Sequence, residues 1–390
     1  MIPLRYTIRS LVVRKAATAV TALAIALVVW VLASLGALVN GVREAFVVSG
    51  EPDNLLVLRA SSSSETISGF EREKLQVLKF VDGIALDPKG EPLISPEIVI
   101  VVNRKRKGLQ EEDSDRNVIF RGVSPAGFEL RRRFRMVKGE RFRSGVGEVI
   151  VAAPIARRFE GFEVGETFQF QSRPWRVVGH FEADGSAFES EVWMDANELG
   201  EAADRRTVFS SALLRVPEAA RRMVMARIDS DPRLNLKAKE EQAYYREQTG
   251  RTTMVVTILT GVLAILMAVG TVFAAANAMY AAVAHRVREV GTMRALGFSR
   301  ASVLVAFLME AGLLSLIGGA AGAALSFLVD GLTVGMANWN TFSEVVFKFR
   351  VTPALVGFAL AYALAIGVIG GFLPAVGAAR TPLSAALRET

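Results

Sequence analysis

Residues 21–39 read TALAIALVVWVLASLGALV and lie inside an uncharged block that extends from Ala16 to Val42. A helix needs roughly 20 apolar residues to cross a bilayer, and this block is long enough. A cleaved signal peptide is the competing interpretation, but its apolar region would span only about 7–15 residues and would end at a small-residue cleavage site. The length of the block therefore favours a retained membrane helix.

Three further apolar blocks lie towards the other end of the sequence. Residues 252–284 and 351–379 carry no charge, and residues 311–329 lie between Glu310 and Asp330. Each block is long enough to span a membrane. A soluble protein with buried helices rarely contains four such runs, so the sequence predicts four transmembrane helices.

Short basic segments beside these blocks predict how the helices are oriented. The positive-inside rule places such segments in the cytoplasm, so both termini are expected there and the 43–250 connection is expected outside. The same rule accounts for the net charge of +7 without nucleic acid as a partner, since no nucleic-acid module is recognisable. The basic residues concerned are Arg5, Arg9, Arg14, Lys15, Arg286, Arg288, Arg294, Arg300, Arg380 and Arg388.

The long connection is predicted to fold as a mixed α/β domain. Pro174 suits the turn of a hairpin, and Pro217 suits the first position of a helix. From about Lys239 the chain reads as a helix that continues into the second membrane helix. The chain has no cysteine, so this domain must be held by core packing without disulfides. Apolar, β-branched runs predict strands at Asn54–Arg59, Glu97–Asn103, Val118–Val123 and Glu148–Ala152.

The predicted fold class is an α-helical membrane protein with four transmembrane helices and a large mixed α/β extracytoplasmic domain between helices 1 and 2. In chain order we expect a cytoplasmic amphipathic segment (1–15), helix 1 (16–42), the extracytoplasmic domain (43–250), helix 2 (251–284), a cytoplasmic helix (285–301), helix 3 (302–334), a short outer loop (335–352), helix 4 (353–378) and a cytoplasmic tail (379–390).

The segment between the second and third membrane helices reads HRVREVGTMRALGFSR over residues 285–300. Apolar side chains recur every three residues at Val287, Val290, Met293 and Leu296, while the other faces are charged. This pattern is typical of a short helix lying on a membrane surface, and Gly297 is placed to cap its end. By spacing alone, a solvated linker without a partner fits as well.

The same segment carries a family resemblance. Residues 288–300 resemble the REIG-x-x-RALG-x-S signature of the MacB/FtsX-type ABC transporter permeases. Phe307–Gly312 with Leu316–Gly322 resembles that family's third helix, and Phe372–Arg388 resembles its closing segment. In the family this segment is a coupling helix that docks on the ATPase, so changing its apolar stripe is expected to abolish coupling. The resemblance implies ATPase-coupling roles for Arg286, Val287, Arg288, Glu289, Val290, Gly291, Met293, Arg294, Ala295, Leu296 and Gly297.

The resemblance also implies partners and a location. No G-x-x-x-x-G-K-[ST] phosphate loop occurs in the sequence, so ATP and Mg²⁺ are expected on a separate ATPase subunit, and no catalytic residue, cofactor or metal is expected in this chain. A second permease copy or paralogue, the lipid bilayer and a periplasmic adaptor protein are the other expected partners. The expected location is the cytoplasmic (inner) membrane. The expected function is export or extraction of a periplasmic or membrane client. Lol-type lipoprotein release and a membrane sensor without transport are the alternatives.

Several membrane residues have expected roles in packing or pairing. Glu310 is ionisable and close to a membrane end, so we expect it to pair with Arg294 or Arg300 rather than to relay protons. The acidic run 111–115 and the basic run 131–135 read as solvated surface. Small residues allow helices to approach closely, which predicts close packing, within or between subunits, at Gly318, Gly322, Gly367, Gly370 and Gly371.

Overall fold

The computed structural model describes residues 15–47, 49–108, 115–337 and 344–380. All of the predicted amphipathic segment 1–15 except Lys15, most of the acidic run 111–115 and nearly all of the tail 379–390 lie outside the described residues. The chain divides into two compact units. A helical unit comprises the described parts of 1–40, 255–332 and 349–390, and an α/β unit comprises those of 41–254 and 333–348.

Four helices in the described part of the chain are long and apolar enough to cross a membrane, which confirms the predicted fold class. They are α1 (Lys15–Val47), α7 (Glu241–Ala284), α9 (Arg300–Ser326) and α10 (Pro353–Arg380). A short helix, α8 (Val287–Ala295), lies between α7 and α9. Ser299 caps α9, because its hydroxyl accepts from the Ser302 N–H. α7 begins before the predicted boundary at residue 251 and is unbroken, as expected from the sequence.

A ten-stranded mixed sheet forms the centre of the α/β unit, in the order β12-β1-β11-β3-β4-β9-β6-β8-β5 with β7 paired to β8. The β4–β9 and β6–β8 pairs are parallel and the remaining pairs are antiparallel. The sheet strands are β1 (Asn54–Arg59), β3 (Ile94–Lys105), β4 (Asp115–Val123), β5 (Arg135–Gly139), β6 (Glu148–Ala152), β7 (Thr167–Phe170), β8 (Arg173–Glu182), β9 (Glu191–Asp195), β11 (Ser211–Arg215) and β12 (Leu236–Glu240).

Short helices and an aromatic core complete this unit. Trp175, Trp193, Phe120, Phe162 and Phe181 are fully buried between the sheet and the segments that cover it. Burying such large side chains supplies much of the stability of a domain without disulfides. The helices are α2 (Arg72–Lys79), α3 (Pro125–Glu129), α4 (Ala153–Arg158), α5 (Ala196–Ala202) and α6 (Glu218–Ser230), and β2 (Phe70–Glu71) pairs with β10 (Val208–Phe209).

The segment between α9 and α10 is more structured than the short loop predicted at 335–352. It contains an antiparallel pair, β13 (Thr333–Ala337) and β14 (Glu344–Lys348), that belongs to the α/β unit. Val345, Val346 and Phe347 are buried, and the Val346 N–H donates to Ser190 Oγ at 2.7 Å. Glu344 forms an ion pair with Arg158. This packing could not be predicted from the sequence, because the hairpin's partners lie far away in the chain.

Two local predictions were wrong in detail. The hairpin turn consists of Gln171 and Ser172, since Phe170 pairs with Arg173, and Pro174 therefore lies inside β8 opposite Gln169. Gln171 makes the tight turn by adopting a left-handed backbone conformation, with φ of 54°. Pro217 precedes the first helical residue of α6 instead of occupying it. The four predicted sheet strands are all present.

Candidate functional site

Helix α8 has one face packed inside the helical unit and one face exposed. Val290 is 2% exposed and packs in a cluster that includes Val303 and Phe307 of α9 and Ala375 of α10, and Met293 packs against that cluster. Leu296, by contrast, is 74% exposed, so the predicted apolar stripe does not continue along one face. The exposed residues of the helix and its C-terminal end are Arg288, Glu289, Thr292, Ala295, Leu296 and Gly297.

This division corrects the expectation that the stripe Val287, Val290 and Met293 is the surface for a partner. Val290 is buried against the chain's own helices, and Val287 and Met293 are partly buried. A periodicity of three shows that a helix has an apolar face, but it does not show whether the covering surface is the same chain or another. Gly291 is also buried, so the surface left for a partner is the opposite, mostly polar face.

Two arginines connect α8 to α9 and α10. Arg286 Nη1 lies 2.9 Å from Glu310 Oε2, and both side chains are about one-tenth exposed. The prediction that Glu310 pairs with Arg294 or Arg300 was therefore wrong. Arg294 instead donates from Nη1 to the carbonyl of Ala379 at 3.0 Å, near the end of α10, where unpaired carbonyls attract a cation. The position of Arg286 in the sequence did not reveal it as the partner of Glu310. Arg286 precedes α8, and the turn between α7 and α8 places its side chain beside α9.

The end of α8 is a Schellman motif. Gly297 has φ of 93°, its N–H donates to Arg294 O at 3.1 Å, and the Phe298 N–H donates to Met293 O at 3.2 Å. Only glycine adopts this backbone conformation without strain. Gly297 therefore sets the direction in which the chain leaves α8 for α9, in the position that the sequence predicted for a cap.

The predicted packing glycines lie where helices of the chain approach closely. A Cβ on Gly318 would lie 2.7 Å from Ala22 O, and one on Gly322 would collide with Ala26 O, so α9 packs backbone-to-backbone on α1. On α10, Gly367 and Gly371 face α9 at Ser315 and Ala311, and Gly370 faces α7 at Val272 O. Of the two alternatives left open by the sequence, the structure shows packing within one chain for all five glycines.

A second cluster, in the α/β unit, consists of buried charges around Arg121, which is 2% exposed. Its guanidinium contacts Glu97 Oε2 at 2.7 Å, Glu191 Oε2 at 2.7 Å and Glu65 Oε1 at 2.9 Å. Arg131 binds both oxygens of Glu97, at 2.7 and 2.8 Å. These residues come from β3, β4, β9 and two loops, so the cluster joins separate parts of the unit.

The pKa shifts in this cluster follow its geometry. Burial opposes the charge of Arg121, but Glu191, Glu65 and Glu97 outweigh it and raise the pKa of Arg121 well above its ordinary value. Burial alone would raise the pKa of Glu97, yet Arg131 and Arg121 together hold it below the usual range. Burial raises the pKa of Glu191 by more than Arg121 and the Trp193 hydrogen bond lower it, and the nearby Glu65 raises it further. Three buried carboxylates thus share the two guanidinium groups of Arg121 and Arg131.

The first turns of α7 pack against this buried cluster. Glu241, the first residue of α7, accepts hydrogen bonds from the Glu51 N–H and from Asn54 Nδ2, both at 2.9 Å. The Tyr244 hydroxyl accepts from the Glu65 N–H at 3.0 Å, and Tyr245 packs edge-on against Phe188. A cavity of about 50 Å³, lined by Arg121, both tyrosines and Val345 of β14 among others, is large enough for a few water molecules.

Comparisons with known families agree with this arrangement. The model of the MacB-like periplasmic core domain matches residues 18–231, more than half of the chain, and the model of the FtsX-like permease C-terminal region matches residues 261–383. The chain belongs to the family of MacB/FtsX-type ABC transporter permeases. It is accordingly a multi-pass membrane protein, and the α/β unit is its MacB-like domain.

Relatives of this permease include proteins named macrolide export ATP-binding/permease protein MacB. The one from Hahella chejuensis is 29% identical over 238 residues, which are 58% of this chain and 35% of the relative. One from Yersinia pestis bv. Antiqua is 30% identical over 239 residues, with the same coverage. The permease chain spans about a third of the length of these curated relatives.

Two solved structures also align with the permease. One is the extracellular domain of the noncanonic ABC-type transporter YknZ from Gram-positive bacteria, with 15% identity, a TM-score of 0.33 and coverage of 50% of this chain and 95% of that one. The other is the periplasmic region of MacB from Actinobacillus actinomycetemcomitans, with 11% identity, a TM-score of 0.38 and coverage of 51% and 94%.

The buried charge cluster of this permease was not predicted from its sequence. Glu97 and Arg121 each adjoin an apolar run of their strand, 98–102 and 118–120, which is a usable signal, since a charge beside such a run must be paired when buried. The partners could not be named, because Glu65, Glu97, Arg121 and Glu191 are far apart in sequence. The ion pair between Arg158 and Glu344 was not predicted for the same reason, because these residues are also far apart in sequence.

Proposed function

We propose that this chain is the permease subunit of an ATP-driven machine, in which a separate ATPase subunit docks on α8 and drives movements of the α/β unit. Both termini and α8 face the cytoplasm of the inner membrane, and the α/β unit is periplasmic. ATP and Mg²⁺ are bound by the partner. The work done is export or extraction of a periplasmic or membrane client.

The observation that carries this proposal is that one face of α8 is buried and the opposite face is exposed. Its apolar side is used up by the chain's own helices, and its orientation is fixed by Arg286, Arg294 and the Gly297 cap. The neighbouring helices therefore hold the exposed side of α8 in a fixed orientation. A docking element needs such a fixed orientation to transmit force. A linker without a partner would have no physical reason for such fixation.

The α/β unit contains three segments that continue into the apolar helices, which supports a mechanical role. These are the end of α1 from Gly41, the start of α7, and the β13–β14 hairpin. Each is held by specific contacts: Gly41 lies against Lys348 O, Glu241 binds Asn54, and Glu344 binds Arg158. A displacement of these helices would therefore be passed to the sheet through hydrogen bonds and ion pairs instead of a slack linker.

The described membrane segments contain few groups that could line a polar pathway, which favours mechanical transmission over conduction through the helices. The ionisable Glu310 is paired with Arg286 and is committed to structure. We place two permease copies in the assembly, in accordance with the family resemblance, and leave an adaptor protein as a further periplasmic partner.

The first prediction tests the docking surface with Leu296→Arg. Leu296 is exposed at the C-terminal end of α8, where a cation is compatible with the helix dipole, so this change should preserve the helix. If Leu296 lies at the centre of the contact, its loss should weaken docking by about tenfold or more. The measurement is the amount of phosphate-loop ATPase that copurifies with tagged chain in mild detergent, identified by mass spectrometry.

Leu86→Arg is the matched control, because Leu86 is a comparably exposed leucine in the α/β unit. It should leave recovery of the ATPase unchanged. Equal ATPase recovery with wild type, Leu296→Arg and Leu86→Arg would show that this face of α8 is not the docking surface. Absence of any ATPase from the wild-type preparation would contradict the proposed function itself.

A further inference from the structure

The start of α7 is a joint that is fixed by polar contacts. We call residues Glu241–Gln248, together with the loops 49–53 and 62–66 that they contact, the α7 joint. Gln242 Nε2 donates to Gly50 O at 3.2 Å, and Gln248 Nε2 donates to Ser63 O at 2.6 Å. A Cβ on Gly50 would lie 2.6 Å from the Gln242 backbone nitrogen, so the loop and helix are in direct backbone contact.

Glu241 is the most buried acid of this joint, at 1% exposed. One of its oxygens, Oε2, accepts both hydrogen bonds, from the Glu51 N–H and from Asn54 Nδ2. The other amide atom of Asn54, Oδ1, is buried and has no hydrogen-bond partner within the described residues. With both donors on one carboxylate oxygen and little access to water, the negative charge of Glu241 is poorly compensated.

The charges that surround Glu241 come from every element packed against it. Arg131 follows α3 and favours the ionised form, whereas Glu97 of β3 opposes it. Arg215 at the end of β11 and Tyr245 on α7 itself also interact with Glu241. Both oxygens of Glu97 already bind Arg131, and this ion pair reduces the electrostatic stabilisation that Arg131 gives to ionised Glu241.

The balance of buried charges in the wider cluster also favours a proton on Glu241. The buried acids are Glu65, Glu97, Glu191 and Glu241, and the buried cations that face them are Arg121 and Arg131. If all were ionised, acids would outnumber cations two to one in a region without bulk water, which is costly. Burial raises the pKa of Glu241 to about 7, although Arg131 and the hydrogen bonds from Glu51 and Asn54 lower it.

We propose that Glu241 is a proton-binding site that makes the α7 joint sensitive to pH, tightly docked when Glu241 is protonated and loosened when it is ionised. A carboxyl group whose pKa is higher in the docked state favours docking at low pH. The effect is fully present below the ordinary carboxyl pKa of 4.5, declines as pH rises, and is lost above about 7. By this linkage the docking equilibrium should fall about tenfold between pH 6 and pH 8.

Only the biological consequence of this inference rests on the proposed function. If the joint transmits movement, that transmission would respond to the pH of the compartment that the α/β unit occupies. The joint itself is a property of the chain alone. It can therefore be tested on the full chain in detergent without any ATPase, so that failure here would leave the docking of a partner on α8 untouched.

The second prediction uses amide hydrogen exchange of the full chain at pH 6 and pH 8, corrected for the intrinsic pH dependence of exchange. Protection of residues 242–248 should fall by up to about tenfold at pH 8 in the wild type, because local opening becomes easier when Glu241 ionises. Glu241→Gln imitates the protonated acid with the same shape, so it should keep the segment protected at both values.

Glu247→Gln is the matched control, since Glu247 is on the same helix but its side chain is 61% exposed and pairs with Lys239. It should retain the pH dependence of the wild type. Equal protection at both pH values in the wild type would overturn the proposal. A pH dependence that persists in Glu241→Gln would also overturn it, because a group other than Glu241 would then carry the effect.

Discussion

At the scale of single residues, Arg121 holds together the buried charge cluster of the α/β unit. It is buried with Glu65, Glu97 and Glu191, and the Trp193 indole N–H also donates to Glu191, at 2.7 Å. A buried ion pair contributes little net stability compared with an apolar pair, but removing one partner leaves charges without compensation. The role of Arg121 is therefore to make this one arrangement of β3, β4 and β9 strongly preferred.

The third prediction follows from the large cost of removing one partner of a buried ion pair. Arg121→Met should lower the free energy of unfolding by about 3–5 kcal/mol, because three buried carboxylates lose their shared cation. Arg227→Met is the control: its ion pair with Asp82 is exposed and should contribute less than about 1 kcal/mol. Tryptophan fluorescence of the full chain during urea unfolding measures both. If the two variants were equally stable, the buried cluster would not have this role.

Residue chemistry also explains what the sequence could and could not predict about the candidate site. The cap at Gly297 depends on residues within one turn and was predictable. The partner of Glu310 depends on how the chain turns between α7 and α8, and the prediction chose Arg294 or Arg300 instead of Arg286. Likewise, nothing near Glu241 in sequence reveals that Glu51, Asn54 and Arg131 surround it.

At the scale of elements, the close contact of α9 with α1 depends on two glycines one turn apart. Gly318 and Gly322 allow the backbone carbonyls of Ala22 and Ala26 to approach α9. Such contacts matter in a membrane, where apolar side chains gain little by leaving lipid and helices associate mainly through packing. α9 is thereby fixed on one side by α1 and on another by α10, where Gly319 meets Ala363.

The fourth prediction tests this contact with Gly322→Ala. The added methyl group would collide with Ala26 O and lie 2.8 Å from Val29 Cβ, so the helices must separate, at a cost of about 1–3 kcal/mol. Gly261→Ala is the matched control, because nothing lies within 4 Å of its Cβ position on α7. Thermal unfolding in detergent should show a lower midpoint for Gly322→Ala only. Equal midpoints would contradict the close packing.

Elements whose signal is local were predicted well. The four membrane helices follow from uncharged length, and β1 and β6 have the bounds that their apolar runs predicted. The β13–β14 hairpin was missed because its stability comes from Ser190 and Arg158, far away in the chain. The apolar stripe of α8 was detected, but the surface that covers it could not be, since a pattern does not identify its partner.

At the scale of the whole molecule, the account requires that α8 and the α/β unit lie on opposite sides of the membrane. Four spanning helices in the order α1, α7, α9 and α10 connect the α/β unit, α8 and the β13–β14 hairpin in alternation. If each of these helices crosses the membrane once, α8 is expected on the same side as both termini, and the hairpin on the side of the α/β unit to which it belongs. The basic residues around α8 favour the cytoplasm for that side.

The most direct test labels single cysteines with a membrane-impermeant maleimide, which is simple because the chain has no cysteine of its own. Ser61 and Leu296 are both exposed, on the α/β unit and at the end of α8. The account predicts that Ser61→Cys is labelled in spheroplasts with intact membranes and that Leu296→Cys is labelled only after the membrane is permeabilised. Labelling of both cysteines from the same side of the intact membrane would contradict it.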